Sequence, residues 1–385
     1  MKTVTVQLGE VMTIDRTTAS HAECRTLPYV GLEHIEKDTG NFAADFRRES
    51  ETLLATKFRF TRAHVLYGKL RPNLNKVTLP DFDGVCSTEI FPLLPRPQML
   101  DRRYLYAVLL SRRFVKWASN SVSGANLPRL DPERLREYEV KLPDFPEQQR
   151  VAERLQQADQ LRRTRRYALE LTDTFLPAAF LELFGDPATN PLGLPVTELG
   201  DFLSFVTSGS RGWADYYVPE GARFIRSLDV RMNNITDEDA VFVKPPNGAE
   251  ADRTRVKPAD VLLTITGSRI GRVAPVPERL NGAFISQHVA ILRLKAGLLP
   301  EFLSMFLSLD TGGQREIARA QYGQTKPGLN LDQIREFRVP VPHLCRQQQF
   351  LELVKRVERQ RAVQREALRQ AEHLFASLLH RTFSG

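Results

Sequence analysis

Basic and small polar side chains gather in a few short loops that also contain glycine or proline. Lysine, arginine and small hydrogen-bonding groups bind phosphate oxygens, whereas arginine, lysine, asparagine and glutamine can reach the edges of bases. These loops therefore predict contacts to a nucleic acid, although each one alone is equally compatible with a solvated surface charge. The candidate residues are Lys69, Arg71, Asn73, Asn75 and Lys76 of KLRPNLNK; Ser123, Asn126 and Arg129 of SGANLPR; Ser208, Ser210 and Arg211 of TSGSRGW; Ser268, Arg269 and Arg272 of TGSRIGR; and Gln324, Thr325 and Lys326 of GQTKPG.

The overall composition agrees with a polyanionic partner. The chain has 385 residues, a formal net charge of +8 and a hydrophobic content of 42%. This length is sufficient for two or three domains with proper cores. The first residues lack a signal-peptide pattern, and no apolar run approaches the roughly 18 residues of a membrane helix. We therefore expect a cytoplasmic protein without a membrane partner.

The loops recur because the chain is a tandem duplication. With a constant shift of 199 positions, residues 124–149 and 323–348 share nine identities, among them Gly124 with Gly323 and Gln148 with Gln347. Upstream, CSTEIFPLL at 86–94 aligns with ISQHVAILR at 285–293, and HVLYGKLRPNLNKV at 64–77 aligns with DVLLTITGSRIGRV at 260–273. Two kinds of basic loop thus stand at equivalent places in the two copies, which favours a shared binding role, whereas TSGSRGW is present in the second copy only.

Each copy has the same internal order of predicted elements. About 140 residues of short apolar runs, separated by glycine, proline, asparagine and aspartate, are typical of an α+β module. One helix is predicted inside each module, near 101–119 and near 300–320. A long helix then follows a proline-containing segment in both copies.

The long helices carry the alternating steps of four and three residues that form a coiled-coil seam. The first is predicted over 147–176, because Pro177 should end or bend it. The predicted seam consists of Val151, Leu155, Leu169 and Leu176 in the first copy, and Phe350, Val354, Val357, Leu368 and Phe375 in the second.

These elements predict two tandem α+β domains separated by two long helices, which form an antiparallel coiled coil with pseudo-two-fold symmetry. The predicted segments are a first module at 1–145, a helix and linker at 146–186, a second module at 187–343 and a C-terminal helix at 344–385. A helix of 30 residues would be about 45 Å long. That length suits a ruler between two DNA contacts, since half-sites on one face of B-DNA lie roughly 34–36 Å apart.

Several segments closely resemble the specificity subunit of type I restriction-modification systems. They are TGSRIGRVAPVPERLNGAFISQHVAILRL, GQTKPGLNLDQIREFRVPVP, RQQQFLELVKRVE and LFASLLHRTFSG in the second copy, with YVGLEHIE, CSTEIFPLL and LFGDP in the first. The resemblance covers essentially the whole chain. The polar residue usual after the first long helix's final leucines is here Pro177.

The resemblance implies a non-catalytic subunit that binds double-stranded DNA. Two target-recognition domains would each read one half of a split, asymmetric sequence, and the paired helices would set the gap. The helices would also bind two modification subunits, which methylate adenine, and through them the restriction subunits. It further implies that this chain binds no cofactor and that S-adenosylmethionine, ATP and magnesium belong to the partner subunits.

Two other functions remain open on the residues alone. A self-contained nuclease could use Glu139 and Lys141 with Asp81 or Asp131, because metal-dependent cleavage needs carboxylates that hold a cation near a polarising lysine. The second copy has Arg338–Pro340 at the same place, without acid or base, and the histidines and cysteines show no metal-binding spacing. A coiled-coil scaffold without sequence preference is the other alternative. His288 is expected to have a structural or phosphate-positioning role.

Overall fold

The computed structural model describes residues 3–43, 45–49, 55–124, 126–321 and 328–383. The chain divides into two compact units. Unit 1 comprises Met1–Tyr167 and Arg365–Gly385, and unit 2 comprises Ala168–Gln364. Each unit therefore combines one copy of the repeat with half of each long helix. In the part of the chain that the structure describes, no helix has the length and apolar content required to cross a membrane.

Unit 1 is a mixed α and β structure. Its strands are β1 (Val4–Gln7), β2 (Met12–Ile14), β3 (Tyr29–Val30), β4 (Lys57–Phe60), β5 (Val65–Gly68), β6 (Val77–Thr78), β7 (Gly84–Ser87), β8 (Ile90–Pro95), β9 (Val122–Ser123), β10 (Arg129–Leu130) and β11 (Glu139–Leu142). Its helices are α1 (Leu8–Val11), α2 (His21–Thr26), α3 (Arg102–Leu110), α4 (Arg112–Asn120), α5 (Pro132–Glu137) and the first part of α6 (Phe145–Phe184).

Unit 2 is also a mixed α and β structure. Its strands are β12 (Val196–Glu198), β13 (Leu203–Ser208), β14 (Tyr217–Val218), β15 (Ala222–Ile225), β16 (Val230–Arg231), β17 (Asn234–Ile235), β18 (Val241–Val243), β19 (Val261–Thr264), β20 (Val273–Pro275), β21 (Phe284–Ile285), β22 (Val289–Leu294) and β23 (Arg338–Pro340). Its helices are α7 (Ala249–Arg253), α8 (Pro300–Ser308), α9 (Gly313–Gln321), α10 (Leu331–Arg335) and the first part of α11 (Leu344–Phe383).

The main sheet has the same topology in both units, as the duplication predicts. Four antiparallel strands lie in the order β2-β8-β5-β6 in unit 1 and β13-β22-β19-β20 in unit 2. In each unit the first strand pairs with the last, β1 with β11 and β12 with β23. The N-terminal end of each module is thereby fixed beside the start of the long helix that follows it.

A second, smaller sheet differs between the units. It has the order β3-β7-β4 in unit 1 and β14-β18-β15-β21 in unit 2, and each contains one parallel pair. The main sheet packs on the helices in a large core, and the smaller sheet has its own apolar cluster. The α+β prediction is confirmed.

The single helix predicted inside each module is wrong, because two consecutive helices are present in each. In unit 1 the backbone is extended at Ser111, between α3 and α4, and the Ser111 hydroxyl accepts a hydrogen bond from the Phe114 amide. This side chain caps the new helix, as serine commonly does. In unit 2, α8 and α9 are separated by residues 309–312.

The predicted end of the first long helix at residue 176 is also wrong, because α6 continues through Pro177 to Phe184. Proline inside a helix costs about 3 kcal/mol. Burial of a leucine or phenylalanine side chain contributes about 1.5–3 kcal/mol, and Leu176, Phe180 and Phe184 are all buried in the core of unit 2. Their combined burial outweighs the cost of the proline.

The long helices run antiparallel within each unit. In unit 1, Arg166 of α6 contacts Glu372 of α11 at 3.1 Å, while the earlier Arg162 stacks on the later Phe375 at 4.2 Å. In unit 2, the side chain of Arg361 donates to the Thr172 carbonyl at 2.7 Å. Later in α6, Leu183 accepts from the earlier Arg346.

The predicted seam residues are all buried or half-buried. Those in the apolar cores are Leu155, Leu176, Phe350, Val357 and Phe375, with Val151 and Val354 packed against them. Leu169 and Leu368 are half-buried. Two arginines on the seam are accommodated by polar groups: Arg162 donates to Asp159 and Arg361 to Glu358.

Candidate nucleic-acid interface

In unit 1 the two predicted basic loops are hydrogen-bonded to each other. The Arg71 amide donates to the Pro128 carbonyl at 2.8 Å, and the Leu130 amide donates to the Lys69 carbonyl at 2.9 Å. Leu70 forms a bridge with Arg129 between these bonds. The turn at 69–76 is thus held against residues 128–130, although about 55 positions separate them in sequence.

Unit 2 contains the same junction. The Leu329 amide donates to the Ile265 carbonyl at 2.9 Å, and Thr266 forms a bridge with Gly328. These bonds match the Leu130–Lys69 and Leu70–Arg129 contacts of unit 1. The predicted residues Gln324, Thr325 and Lys326 lie outside the described residues.

The third predicted loop, 207–213, joins the same region of unit 2. The Gly209 backbone amide donates to the Val289 carbonyl at 3.0 Å, and the Gln287 backbone amide donates to the Ser210 carbonyl at 3.1 Å. A side chain at Gly209 would place its Cβ only 2.2 Å from the Ser286 carbonyl oxygen. Glycine is therefore required for this close backbone approach.

The loops meet at two short segments, 87–89 in unit 1 and 286–288 in unit 2. Among these residues, only His288 had an expected role from the sequence. The Lys69 amide donates to the Glu89 carbonyl at 3.0 Å, and the Ile265 amide donates to the His288 carbonyl at 2.9 Å. Glu89 and His288 thus occupy equivalent positions. The alignment of CSTE with ISQH was the signal that could have identified them.

Part of the predicted set is available to a ligand. The exposed members are Arg71, Asn73, Ser123, Asn126, Arg211 and Ser268. Within the described residues, their side chains make no hydrogen bond or ion pair with the protein. Unpaired, exposed guanidinium groups beside small polar side chains can bind phosphate oxygens or base edges.

Other predicted cations already contact the protein. The hydrogen bonds are Lys76 to the Leu32 carbonyl at 2.6 Å, Arg129 to the Glu89 carboxylate at 2.9 Å and Arg269 to the Leu228 carbonyl at 3.2 Å. Lys69 lies 5.5 Å from the centre of the Phe91 ring. Ser208 is half-buried, and its carbonyl accepts from Arg253.

Two predicted residues are buried instead of exposed. Asn75 and Ser210 are each only 3% exposed. Asn75 adopts a left-handed backbone conformation at the end of a short 3-10 helix, Pro72–Leu74, which asparagine tolerates better than most residues. Asn75 Oδ1 and Ser210 Oγ are buried and have no hydrogen-bond partner among the described residues. Direct contact of these side chains with a ligand stays a prediction.

Arg272 has an electrostatic environment that favours an anion. Its side chain is half-buried, and one terminal nitrogen, Nη1, is buried without a partner among the described residues. Burial, followed by the charges of Arg269 and Arg231, lowers the pKa of Arg272, although the guanidinium remains protonated near neutral pH. An anion at this place would offset the mutual repulsion of the arginines.

The sequence pattern of the type I restriction modification DNA specificity domain matches residues 2–171 and 230–373. The chain belongs to this family. The matched stretches include residues 69–76, 87–89 and 128–130 of unit 1 and residues 265–266, 286–288 and 328–329 of unit 2, whereas loop 207–213 lies outside them. The equivalent junctions therefore belong to two copies of the specificity domain.

Known specificity-domain proteins match the chain over different lengths. The EcoDI specificity subunit of Escherichia coli is 32% identical over 160 residues, which cover 40% of this chain and 35% of that protein. The MjaVIII specificity subunit of Methanocaldococcus jannaschii is 18% identical over 317 residues, 78% of this chain and 74% of that protein.

Solved structures show the same fold over nearly the full chain. The S subunit of a type I restriction-modification system from M. genitalium superposes with a TM-score of 0.63 at 15% identity and covers 99% of this chain and 96% of its own. A chain from a type I system studied for complex assembly and conformational transition gives 0.58 at 18% identity, covering 98% and 97%. At this identity the likeness concerns the fold alone.

Both aspartates considered for a nuclease contact other groups in this specificity-domain chain. Asp131 accepts a hydrogen bond from the Glu133 amide and caps α5, and Asp81 pairs with Arg48 at 2.7 Å. Glu139 and Lys141 are exposed on strand β11. Among the described residues, no group of three or more histidine, cysteine or acidic side chains could hold a metal ion.

The run of arginines at 162–166 is largely neutralised within unit 1. Arg162 and Arg163 both donate to Asp159, and Arg166 contacts Glu36 and Glu372. These partners favour a role in holding α6 within unit 1 over a role in binding DNA phosphates.

Proposed function

We propose that this chain is the non-catalytic DNA-recognition subunit of a type I restriction-modification complex, in which each specificity domain reads one half of a split, asymmetric target. The observation that carries the proposal is the convergence of the predicted loops at equivalent junctions of both domains. In each junction at least one exposed arginine, Arg71 or Arg211, has no partner among the described residues. A formal charge of +8 favours the same polyanionic partner.

The two long helices set the distance between the half-sites in this proposal. Helices α6 and α11 each have 40 residues, which corresponds to about 60 Å per helix. Arginine contacts and apolar burial fasten each helix to the other within each unit.

We further propose that α6 contributes to the docking of two modification subunits, through which the restriction subunits join. Leu171 and Phe175 are 52% and 48% exposed, and their spacing of four residues places them on one helix face. Exposed apolar groups on an otherwise charged helix are typical of an interaction surface. In this proposal S-adenosylmethionine, ATP and magnesium bind to the partner subunits.

Mapping of adenine methylation in the host genome tests DNA recognition. Deletion of the gene for this chain should abolish methylation of one split motif on both strands, and restoring the gene should recover it. In parallel, the full chain should select the same split motif from randomised duplexes, with affinity that falls steeply as salt increases. Selection of a single ungapped motif, or no selection, would contradict the proposal.

The docking surface is tested with the double variant Leu171→Glu and Phe175→Glu. Co-purification of the modification subunit with the chain should fall sharply, whereas the thermal transition of the chain should change little, because both side chains are exposed. Leu192→Glu, an equally exposed position in the linker, serves as the control. Full retention of the modification subunit by the double variant would place the docking surface elsewhere.

A further inference from the structure

Glu89 is an acid at the centre of loops that are otherwise basic. Its carboxylate accepts a hydrogen bond from Arg129 Nε at 2.9 Å, and the two side chains remain 29% and 41% exposed. Its backbone carbonyl accepts from Lys69. Arg129 Nη1 also donates to the Leu127 carbonyl at 3.3 Å, and Nη2 makes no hydrogen bond among the described residues. The pair is therefore held at the junction of the unit 1 loops while Nη2 and part of the carboxylate stay accessible.

Folding stability does not explain why residue 89 is an acid. An ion pair that is this exposed contributes little to folding. A negative charge close to a nucleic acid also opposes binding, because it repels the phosphates. Both effects predict a neutral or basic residue at position 89, so the acid indicates a specific role.

The hydrogen-bonding groups of Glu89 and Arg129 are complementary to the major-groove edge of one base pair. In the major groove guanine presents two acceptors, O6 and N7, and the cytosine opposite presents an amino donor, N4. Arginine is the commonest partner of the guanine acceptors, and glutamate accepts from the cytosine amino group. A carboxylate beside a guanidinium supplies this combination of acceptor and donors.

We infer that Glu89 and Arg129 together read one G·C base pair in the half-site of the first specificity domain. The inference rests on the proposed DNA-recognition function. Glu89 has two effects: it accepts from cytosine, and it orients the Arg129 guanidinium towards guanine. Arg71, whose amide is bonded to Pro128 beside Arg129, remains exposed to bind the adjacent phosphate.

The second domain lacks this pair at the equivalent place. The matching backbone contacts put His288 where unit 1 has Glu89, and Gly328 where unit 1 has Arg129. The His288 ring contacts the Thr266 hydroxyl and lies 3.2 Å from the Gln287 amide nitrogen. A carboxylate and guanidinium pair is absent from these two positions, so the second half-site carries no G·C requirement of this origin.

The test compares Glu89→Ala, Arg129→Ala and Arg129→Lys with the wild-type full chain on randomised duplexes. Both alanine variants should lose discrimination at the same single G·C position of one half-site, roughly 5- to 150-fold. The double variant should lose no more than the larger single effect. Arg129→Lys keeps the charge but not the planar fork, so overall affinity should persist while discrimination falls.

Each other outcome has a distinct meaning. Uniform weakening on all sequences by Arg129→Ala, with a salt slope smaller by about one, would make Arg129 a phosphate contact and overturn the inference. An unchanged motif in both alanine variants, or loss at an A·T position, would overturn it as well. Failure of the wild-type chain to select any split motif would instead contradict the proposed function.

Glu137→Gln is the matched control. It removes the same charge as a neutral substitution at Glu89 and breaks a comparable exposed pair with Arg134 at 3.0 Å. The motif selected by this control should be that of the wild type. Thermal denaturation of all variants verifies that each is folded before its motif is compared.

Discussion

The two specificity domains share their backbone contacts but not the side chains that those contacts present. Gln148 and Gln347 make the same three hydrogen bonds: each accepts from a backbone amide, Asp101 or Leu299, and donates to two carbonyls. At the loop junction, in contrast, Glu89 corresponds to His288 and Arg129 to Gly328. Buried positions kept their identity because their partners are backbone atoms, which did not change.

One pair of equivalent residues shows the consequence for binding. Lys76 of unit 1 donates to the Leu32 carbonyl, whereas Arg272 of unit 2 has a nitrogen without a partner among the described residues. A cation at one place in the fold is thus a structural contact in one domain and is available in the other. Two copies of one fold can therefore bind two different half-sites.

The largest expected effect tests the shared framework. Gln148→Ala and Gln347→Ala should each lower the free energy of unfolding by about 3–5 kcal/mol, because both remove three hydrogen bonds of buried groups. Urea denaturation measures the change. Gln157→Ala, at an exposed position of α6, should stay within about 0.5 kcal/mol. A large loss for only one of the two glutamines would break the equivalence of the domains.

Pro177 of α6 corresponds to Ala376 of α11. Ala376→Pro should destabilise the protein by about 3 kcal/mol, since proline removes a hydrogen bond inside a helix. Pro177→Ala should stabilise it by about 1–3 kcal/mol for the same reason. Thermal or urea denaturation measures both. A destabilising Pro177→Ala would show that the proline is needed for the path of α6.

Substitutions of Lys76 and Arg272 test the difference between the domains with a smaller expected effect. Lys76→Ala should cost about 1–2 kcal/mol of folding free energy, because a charged hydrogen bond is lost. Arg272→Ala should leave folding nearly unchanged and weaken DNA binding on all sequences, with a salt slope smaller by about one. Denaturation and salt titrations of DNA binding separate these results. The reverse pattern would contradict the assigned roles.

The smallest effect concerns an exposed pair on α11 that α6 lacks. Hydrogen bonds from Arg369 and then Gln370 lower the pKa of Glu366 to about 2. Any stability from this lowered pKa is present above the ordinary value of 4.5 and is lost as the pH falls towards 2. Carboxyl NMR should show the low titration midpoint, which Arg369→Ala should raise. Because the Glu366–Arg369 pair is exposed and screened by solvent, Glu366→Gln should lose a small amount of stability at neutral pH, and this difference from the wild type should vanish as the pH falls.

Much of the framework was predictable from local patterns. The nine identities at a shift of 199 predicted two copies, and the heptad steps predicted helices whose seam residues are buried or half-buried. Residue types in the sequence indicated the basic loops, but they did not indicate which side chains of these loops are free to bind a ligand. Lys76 is bonded to Leu32, 44 positions away, and no property of KLRPNLNK indicates that contact. The continuation of α6 through Pro177 likewise depends on the distant core that buries Phe180.

The sequence by itself showed the duplication and determined the two long helices and their seam, because side chains that are buried at regular intervals along a helix must be apolar at the same intervals in the sequence. Only the tertiary structure decided which cations of the loops are free, which are bonded internally, and that Glu89 and Arg129 stand together. The physical reason is that the availability of a side chain depends on the groups that distant segments bring beside it.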